Sequence, residues 1–365
     1  MHAVRILCVT VFTTIFLLAG SGNRPAQALG LAEDYRAYQA AVKAGAPPEE
    51  IRQLAEKVYA GASPDKPALR GPAAYNLAMA EKATGRRDAA LAHFAESVEL
   101  MTEAFGEFDL RLLDPYWDYA RTLADDAESE DALQKLERAE EVLVRHRDEI
   151  DPRVLLFLDL DKIRMASILP DNRRVTAFLH KLEGNLDQAG ADRPFFEGMI
   201  AFWRGKELLS QKKRIAAAKR FSEATQLLLT RLKASDGTVL MARAFRLQAL
   251  EEAGKSDEAT AECVAIARAR SEEENAEFEP LYKIQPVYPR FAADGGREGY
   301  VIVSVTVTPD GRTADWQIIE SKPEGTFERA ALEAVKKFRY APRIVDGEPV
   351  ATPGVLYRFT FEMGD

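Results

Sequence analysis

Between Leu29 and Arg270 apolar residues recur at helical spacing in a stretch rich in alanine, leucine, glutamate, arginine and lysine, with nothing that alternates like a strand. That pattern predicts an all-α region. After Pro280 the period changes to two. Val301, Val303, Val305 and Val307 alternate with Tyr300, Ile302, Ser304 and Thr306, the signature of a strand with one buried face. Thr308-Pro309-Asp310-Gly311 supplies a turn, because proline presets φ and glycine accepts a positive φ. Trp316 to Ile319 reads as the return strand. Thr326 is placed to cap a helix whose apolar residues Phe327, Ala330, Ala331, Ala334, Val335 and Phe338 share one face. Arg339-Tyr340-Ala341-Pro342 stops that helix, and a loop containing Asp346-Gly347 leads to a last strand. There Val355, Tyr357, Phe359 and Phe361 face one way and Leu356, Arg358, Thr360 and Glu362 the other. The expected unit is β-β-α-β: one helix over a three-stranded antiparallel sheet.

The helical region carries an internal repeat. Asn76-Leu77-Ala78, Gly85, Ala90-Leu91, Phe94 and Val98 set small residues where paired helices approach and large ones where layers meet. Tyr119-Ala120, Ala132-Leu133, Leu136 and Ala139 echo the pattern, as do Ala217-Ala218, Phe221 and Ala224, then Phe245, Leu247, Ala249, Gly254, Ala259 and Cys263. Spacing is uneven and consensus poor between Asp151 and Phe202. The region resembles the tetratricopeptide-repeat class, which implies a helical array that presents a concave face to a protein or peptide, or serves as a spacer.

The C-terminal motifs also resemble a family. Gln285-Pro286-Val287-Tyr288-Pro289, Arg297-Glu298-Gly299, Thr308-Pro309-Asp310-Gly311-Arg312, Phe327-Glu328-Arg329 and Phe338-Arg339-Tyr340-Ala341-Pro342 match the TonB C-terminal domain in order and spacing over about 281–362. The resemblance implies a periplasmic domain that grips a short peptide from an outer-membrane receptor and passes inner-membrane energy to uptake. It also implies that Gln285 lies near the bound peptide. Independently, a sheet edge offers unpaired N–H and C=O groups to an added strand. The last strand is the candidate edge, with Leu356, Arg358 and Thr360 to read the side chains of the incoming segment; the alternative is a merely solvated edge. Tyr288, Tyr340 and Phe338 are expected in the core.

At the other end, Arg5 precedes an apolar run from Ile6 to Gly20, and Ala26-Gln27-Ala28 offers small residues to a signal peptidase. Residues 1–28 therefore read as a signal peptide cut after Ala28. The run is shorter than the roughly 20 residues that span a bilayer as a helix, and an uncleaved anchor is the alternative. Leu18-Ala19-Gly20-Ser21 has serine where a lipidated cysteine would stand. The apolar run lacks the histidine-bearing polar face that the TonB resemblance implies for an anchor helix, and no long proline-rich spacer follows.

The formal charge is −9, with nearly all the acidity in the helical part, which excludes nucleic acid and anionic membrane surfaces as its partners. The acidic stretch 271–280 reads as a linker between a helical domain at 29–270 and a TonB-like domain at 281–365. Removal of Cys8 with the signal would leave Cys263 alone, a small-residue helix position. His93, His146 and His180 show no metal-ligand spacing, and nucleotide loops, nucleophile elbows and metalloprotease signatures are absent from the sequence. Asp159 and Asp161, or Asp125 and Asp126, are expected on solvated helix faces or caps instead of in a metal or acid–base pair. No cofactor, metal or catalysis is expected. The reading is an exported interaction protein whose TonB-like domain captures a receptor peptide or another strand donor, with a second protein on the repeats. The alternatives are an anchored energy transducer working with a proton-motive complex, and a periplasmic adaptor unrelated to uptake.

Overall fold

The computed structural model describes residues 25–124, 128–270 and 279–363. The apolar run at Ile6–Gly20, Asp125 and Asp126, and residues 271–278 of the linker read at 271–280 lie outside them, while Pro280 at its end begins a strand; Ala28 falls inside the first helix. The chain divides into two compact units, Met1–Gly190 and Ala191–Asp365.

The first unit is helical: α1 (Pro25–Ala44), α2 (Pro48–Gly61), α3 (Pro67–Ala83), α4 (Arg87–Phe105), α5 (Leu113–Leu123), α6 (Ser129–Arg145), α7 (Arg153–Ala166) and α8 (Arg173–Gly184). Proline opens α2 and α3, where the missing N–H costs no intrahelical bond. The repeat residues do the packing expected of them: Leu77, Ala78, Ala90, Phe94, Ala120, Ala132, Leu133, Leu136 and Ala139 are buried, and the Phe94 ring stacks on Tyr119 at 5.9 Å. The stretch of poor consensus contains α7, α8 and an irregular segment at 186–192 around Gly190, where the two units part.

Asp159 corrects the solvated reading. Its side chain is fully buried between α7 and its neighbours, and Oδ1 accepts from Lys181 Nζ at 2.9 Å. Lys181 and the buried Lys162 also donate to Glu140 of α6, so a mixed-charge cluster ties α6, α7 and α8. Partners make burial tolerable here, because an isolated buried charge would be prohibitive. Asp161 is likewise engaged, accepting from Trp117 Nε1 at 2.6 Å and Arg121 Nε at 2.8 Å.

The second unit opens with α9 (Arg193–Ser210), α10 (Arg214–Leu228), α11 (Gly237–Glu252) and α12 (Ser256–Arg270), packed around Phe202, Phe221 and Phe245, whose rings lie 5.5–5.8 Å apart. Then come β1 (Pro280–Tyr282), α13 (Arg290–Asp294), β2 (Gly299–Val307), β3 (Thr313–Lys322), α14 (Glu328–Val335), β4 (Arg339–Tyr340), β5 (Arg343–Val345), β6 (Glu348–Val350) and β7 (Thr352–Phe361). The main sheet is antiparallel with order β3-β2-β7; β1 pairs with β4, and β5 with β6. The β-β-α-β unit and its in/out alternation are as the sequence predicts. Val301, Val303, Val305, Val307, Val355, Phe359 and Phe361 are buried with Phe327, Ala331, Ala334, Val335, Phe338 and Tyr340.

The details differ at several points. Helix α14 is shorter than its apolar pattern, and Thr326 does not cap it; Glu328 instead accepts from the Gly325 N–H at 2.6 Å. Phe338 reaches the core from beyond the helix. Arg339-Tyr340 forms a strand instead of only ending α14, and the Asp346-Gly347 loop is a hairpin, β5–β6. The return strand β3 exceeds Trp316–Ile319 and is bulged twice against β2, with Asp315 at φ 48°. Among the described residues no helix is long and apolar enough to cross a membrane.

Candidate partner-binding edge

Strand β2 lies between β3 and β7, so β7 has a neighbour on one side only among the described residues. Its other side carries the main-chain donors and acceptors that β2 does not use. Pro353, the second residue of β7, suits an edge because it cannot donate to a ladder.

The predicted reader residues stand together on the face turned away from α14. Leu356 is 59% exposed, and Arg358 and Thr360 are exposed, while on the opposite face Val355, Phe359 and Phe361 are buried and Tyr357 is half-buried against the core. In register these three sit opposite Ser304, Ile302 and Tyr300 of β2. The Arg358 guanidinium lies 4.1 Å from the centre of the Tyr300 ring, a cation–π contact that holds the arginine on the sheet. Tyr300 Oη donates to Glu320 Oε1 at 2.5 Å, and Lys322 Nζ is 3.1 Å from the same carboxylate. The Tyr300 hydrogen bond, then Lys322, holds the Glu320 carboxyl below its ordinary range. Along β7 the open face thus presents in order an apolar side chain, a cation held on the Tyr300 ring and a hydroxyl.

Gln285 is exposed on the segment before α13. That segment is pinned by Tyr288, whose ring meets Phe327 and Phe361 edge-on at 5.6 and 5.8 Å and whose hydroxyl donates to the Arg297 carbonyl at 2.6 Å. The Gln285 segment is therefore held beside the Phe361 end of β7. The Gly299 of the Arg-Glu-Gly motif starts β2 where an added Cβ would lie 1.9 Å from the Lys322 carbonyl oxygen, so only glycine lets β2 and β3 close there.

Sequence reading missed the exposed Trp316 and Ile319 on β3 and the Arg358–Tyr300 contact. A bulged strand breaks strict alternation, and a cross-strand pair becomes visible only once register is known.

Residues 284–363 match the family described as Gram-negative bacterial TonB protein C-terminal. This segment is a TonB C-terminal domain. Residues 71–143, which run from α3 to α6, match the tetratricopeptide repeat. Protein TonB of Pseudomonas aeruginosa is 43% identical over 77 residues, which cover 21% of this chain and 22% of that protein. Protein TonB of Escherichia coli is 44% identical over 83 residues, covering 23% of this chain and 32% of that protein. The chain thus spans a third or less of the length of these curated relatives. The apo form of the quorum sensor NprR from B. thuringiensis is similar in structure, with a TM-score of 0.52 at 17% identity, covering 68% of this chain and 66% of that one; the likeness is one of fold alone.

Proposed function

We propose that this chain is an exported binding protein whose TonB-type domain captures an extended segment of an outer-membrane receptor as a fourth strand on β7, with the helical repeats as scaffold for a second protein. The observation that carries this reading is the edge of β7, unpaired among the described residues, with Leu356, Arg358 and Thr360 exposed at alternate positions along it and the Gln285 segment beside its end. Main-chain hydrogen bonds would supply affinity with little sequence demand, and the alternate side chains would supply choice. Arg5, the apolar run and Ala26-Gln27-Ala28 support delivery to the periplasm.

The test uses the full chain and fluorescein-labelled synthetic peptides copied from the amino-terminal periplasmic segments of the host's own TonB-dependent receptors. Fluorescence anisotropy is expected to report saturable binding that Leu356→Pro and Arg358→Pro each abolish, since proline removes a donor and distorts the strand. Circular dichroism of both variants separates a lost edge from a lost fold. Binding that survives both substitutions in folded protein moves the interface off β7.

The amino-terminal residue and membrane partition of the native protein distinguish this reading from an anchored energy transducer. A chain starting at Leu29 in the soluble periplasmic fraction fits a diffusible adaptor. An intact Met1 in the inner-membrane fraction makes a proton-motive complex the next partner to test.

A further inference from the structure

Arg339, which the sequence offered only as part of a helix stop, has its side chain 6% exposed and donates from Nε to Glu251 Oε1 at 2.6 Å. Glu251 belongs to α11, and its side chain is 8% exposed. Its other oxygen accepts from Ser256 Oγ at the start of α12, at 2.8 Å. Both carboxylate oxygens are thus committed, one within the helical hairpin and one to the sheet domain. A charge so deeply buried is tolerable only while its partner stays in place.

A second contact is apolar and independent of that pair. Gly311, in the β2–β3 turn, approaches α12 so closely that a Cβ placed on it would lie 2.8 Å from Cys263 Cβ and 2.4 Å from the Tyr340 carbonyl oxygen. The Gly311 carbonyl accepts from the Tyr340 N–H at 2.9 Å, which fixes the turn against β4. Around this buried centre lie exposed pairs: Arg312 donates to Asp257 at 2.6 Å, and Arg268 lies 4.0 Å from Glu348. A desolvated centre within a charged rim is the anatomy of a specific protein interface.

We propose that the α11–α12 hairpin is a docking surface for the TonB-type domain of the same chain, and that the two stay together through it even when the peptide connection between them is cut. The contacts lie at the end of the sheet where β2 turns into β3, the end at which Val307 meets Thr352. The reader residues Leu356, Arg358 and Thr360 run from there toward the Gly299–Phe361 end. The domain is therefore held by one end while the open edge of β7 stays clear. A pull on β7 passes into the helices through Glu251–Arg339 and Cys263–Gly311, and the 271–278 segment need not bear it. This goes beyond receptor capture, and its test uses no receptor peptide.

A protease recognition sequence is inserted after Glu274 of the full chain, the protein is cut, and the products are run on size exclusion at micromolar concentration. Co-elution of both fragments is expected, with Cys263 slow to alkylate by mass spectrometry of its peptide. Glu251→Arg is expected to separate the cut fragments and bring Cys263 alkylation to the rate of the denatured chain; adding Arg339→Glu is expected to restore co-elution. Separate elution of the cut wild-type fragments, with Cys263 reacting freely, overturns the proposal. A Glu251→Arg chain whose fragments still co-elute overturns the role of the ion pair. Should the double variant fail to fold by circular dichroism, the cut wild-type protein decides alone.

Discussion

Gly311 shows how one residue can answer to two constraints at once. Its φ of 77° is open to glycine and strained for other residues, and the space a methyl would need is already filled by Tyr340 and Cys263. Sequence predicts the first constraint from the Pro-Asp-Gly turn; the second comes from residues far away in the chain. Gly311→Ala is therefore expected to destabilise by about 2 kcal/mol or more, strain and overpacking together. A melting temperature within a degree of wild type by calorimetry would count against both constraints. Cys263 feels the same packing from the other side: burial pushes its thiol up to about 12, which keeps it a structural thiol.

Among elements, the bundle of α6, α7 and α8 is tied by charge as well as by leucine. Burial acts to raise the Glu140 carboxyl, but hydrogen bonds from Lys162 and Lys181 outweigh it and hold the group below its ordinary value of 4.5. A lowered carboxylate contributes stability that is present above that ordinary value and lost as the pH falls through the lowered one. Asp159 runs the other way. Burial raises its pKa against the pull of Lys181, so its contribution is present below 3.8 and lost as the pH rises through the raised value. Glu140→Ala leaves two lysines short of a partner and is expected to cost about 3 kcal/mol at pH 7. Asp159→Asn, which removes a charge whose Oδ2 has no partner, is expected to cost far less there. Thermal melts of both variants between pH 3 and 7 test the assignment: the Glu140 deficit should shrink on acidification below pH 4.5, and a deficit independent of pH would show that packing, not charge, is lost.

For the molecule as a whole, what could be read from the sequence follows from the range of the forces involved. Period-2 alternation and helical spacing report which face of an element is buried, so the α-helical region, the β-β-α-β unit, the core role of Phe338 and Tyr340, and the inward and outward sets on β7 are all legible in the sequence. Turn chemistry is equally local, and Thr308 to Gly311 turns where its residues say it should. Other features depend on which element lies beside which. Whether β7 lies at an edge is set by strand order; Arg358 finds Tyr300 only through register; Asp159 is buried because α8 brings Lys181 to it; and Arg339 meets Glu251 across 88 residues of chain. By itself the sequence determined the elements, their buried faces and the resemblance that names the C-terminal domain. Only the tertiary structure decided which charges are buried, which strand is open and where the sheet domain rests on the helices, because those properties belong to pairs of surfaces, and a pattern along one chain specifies each surface without its partner.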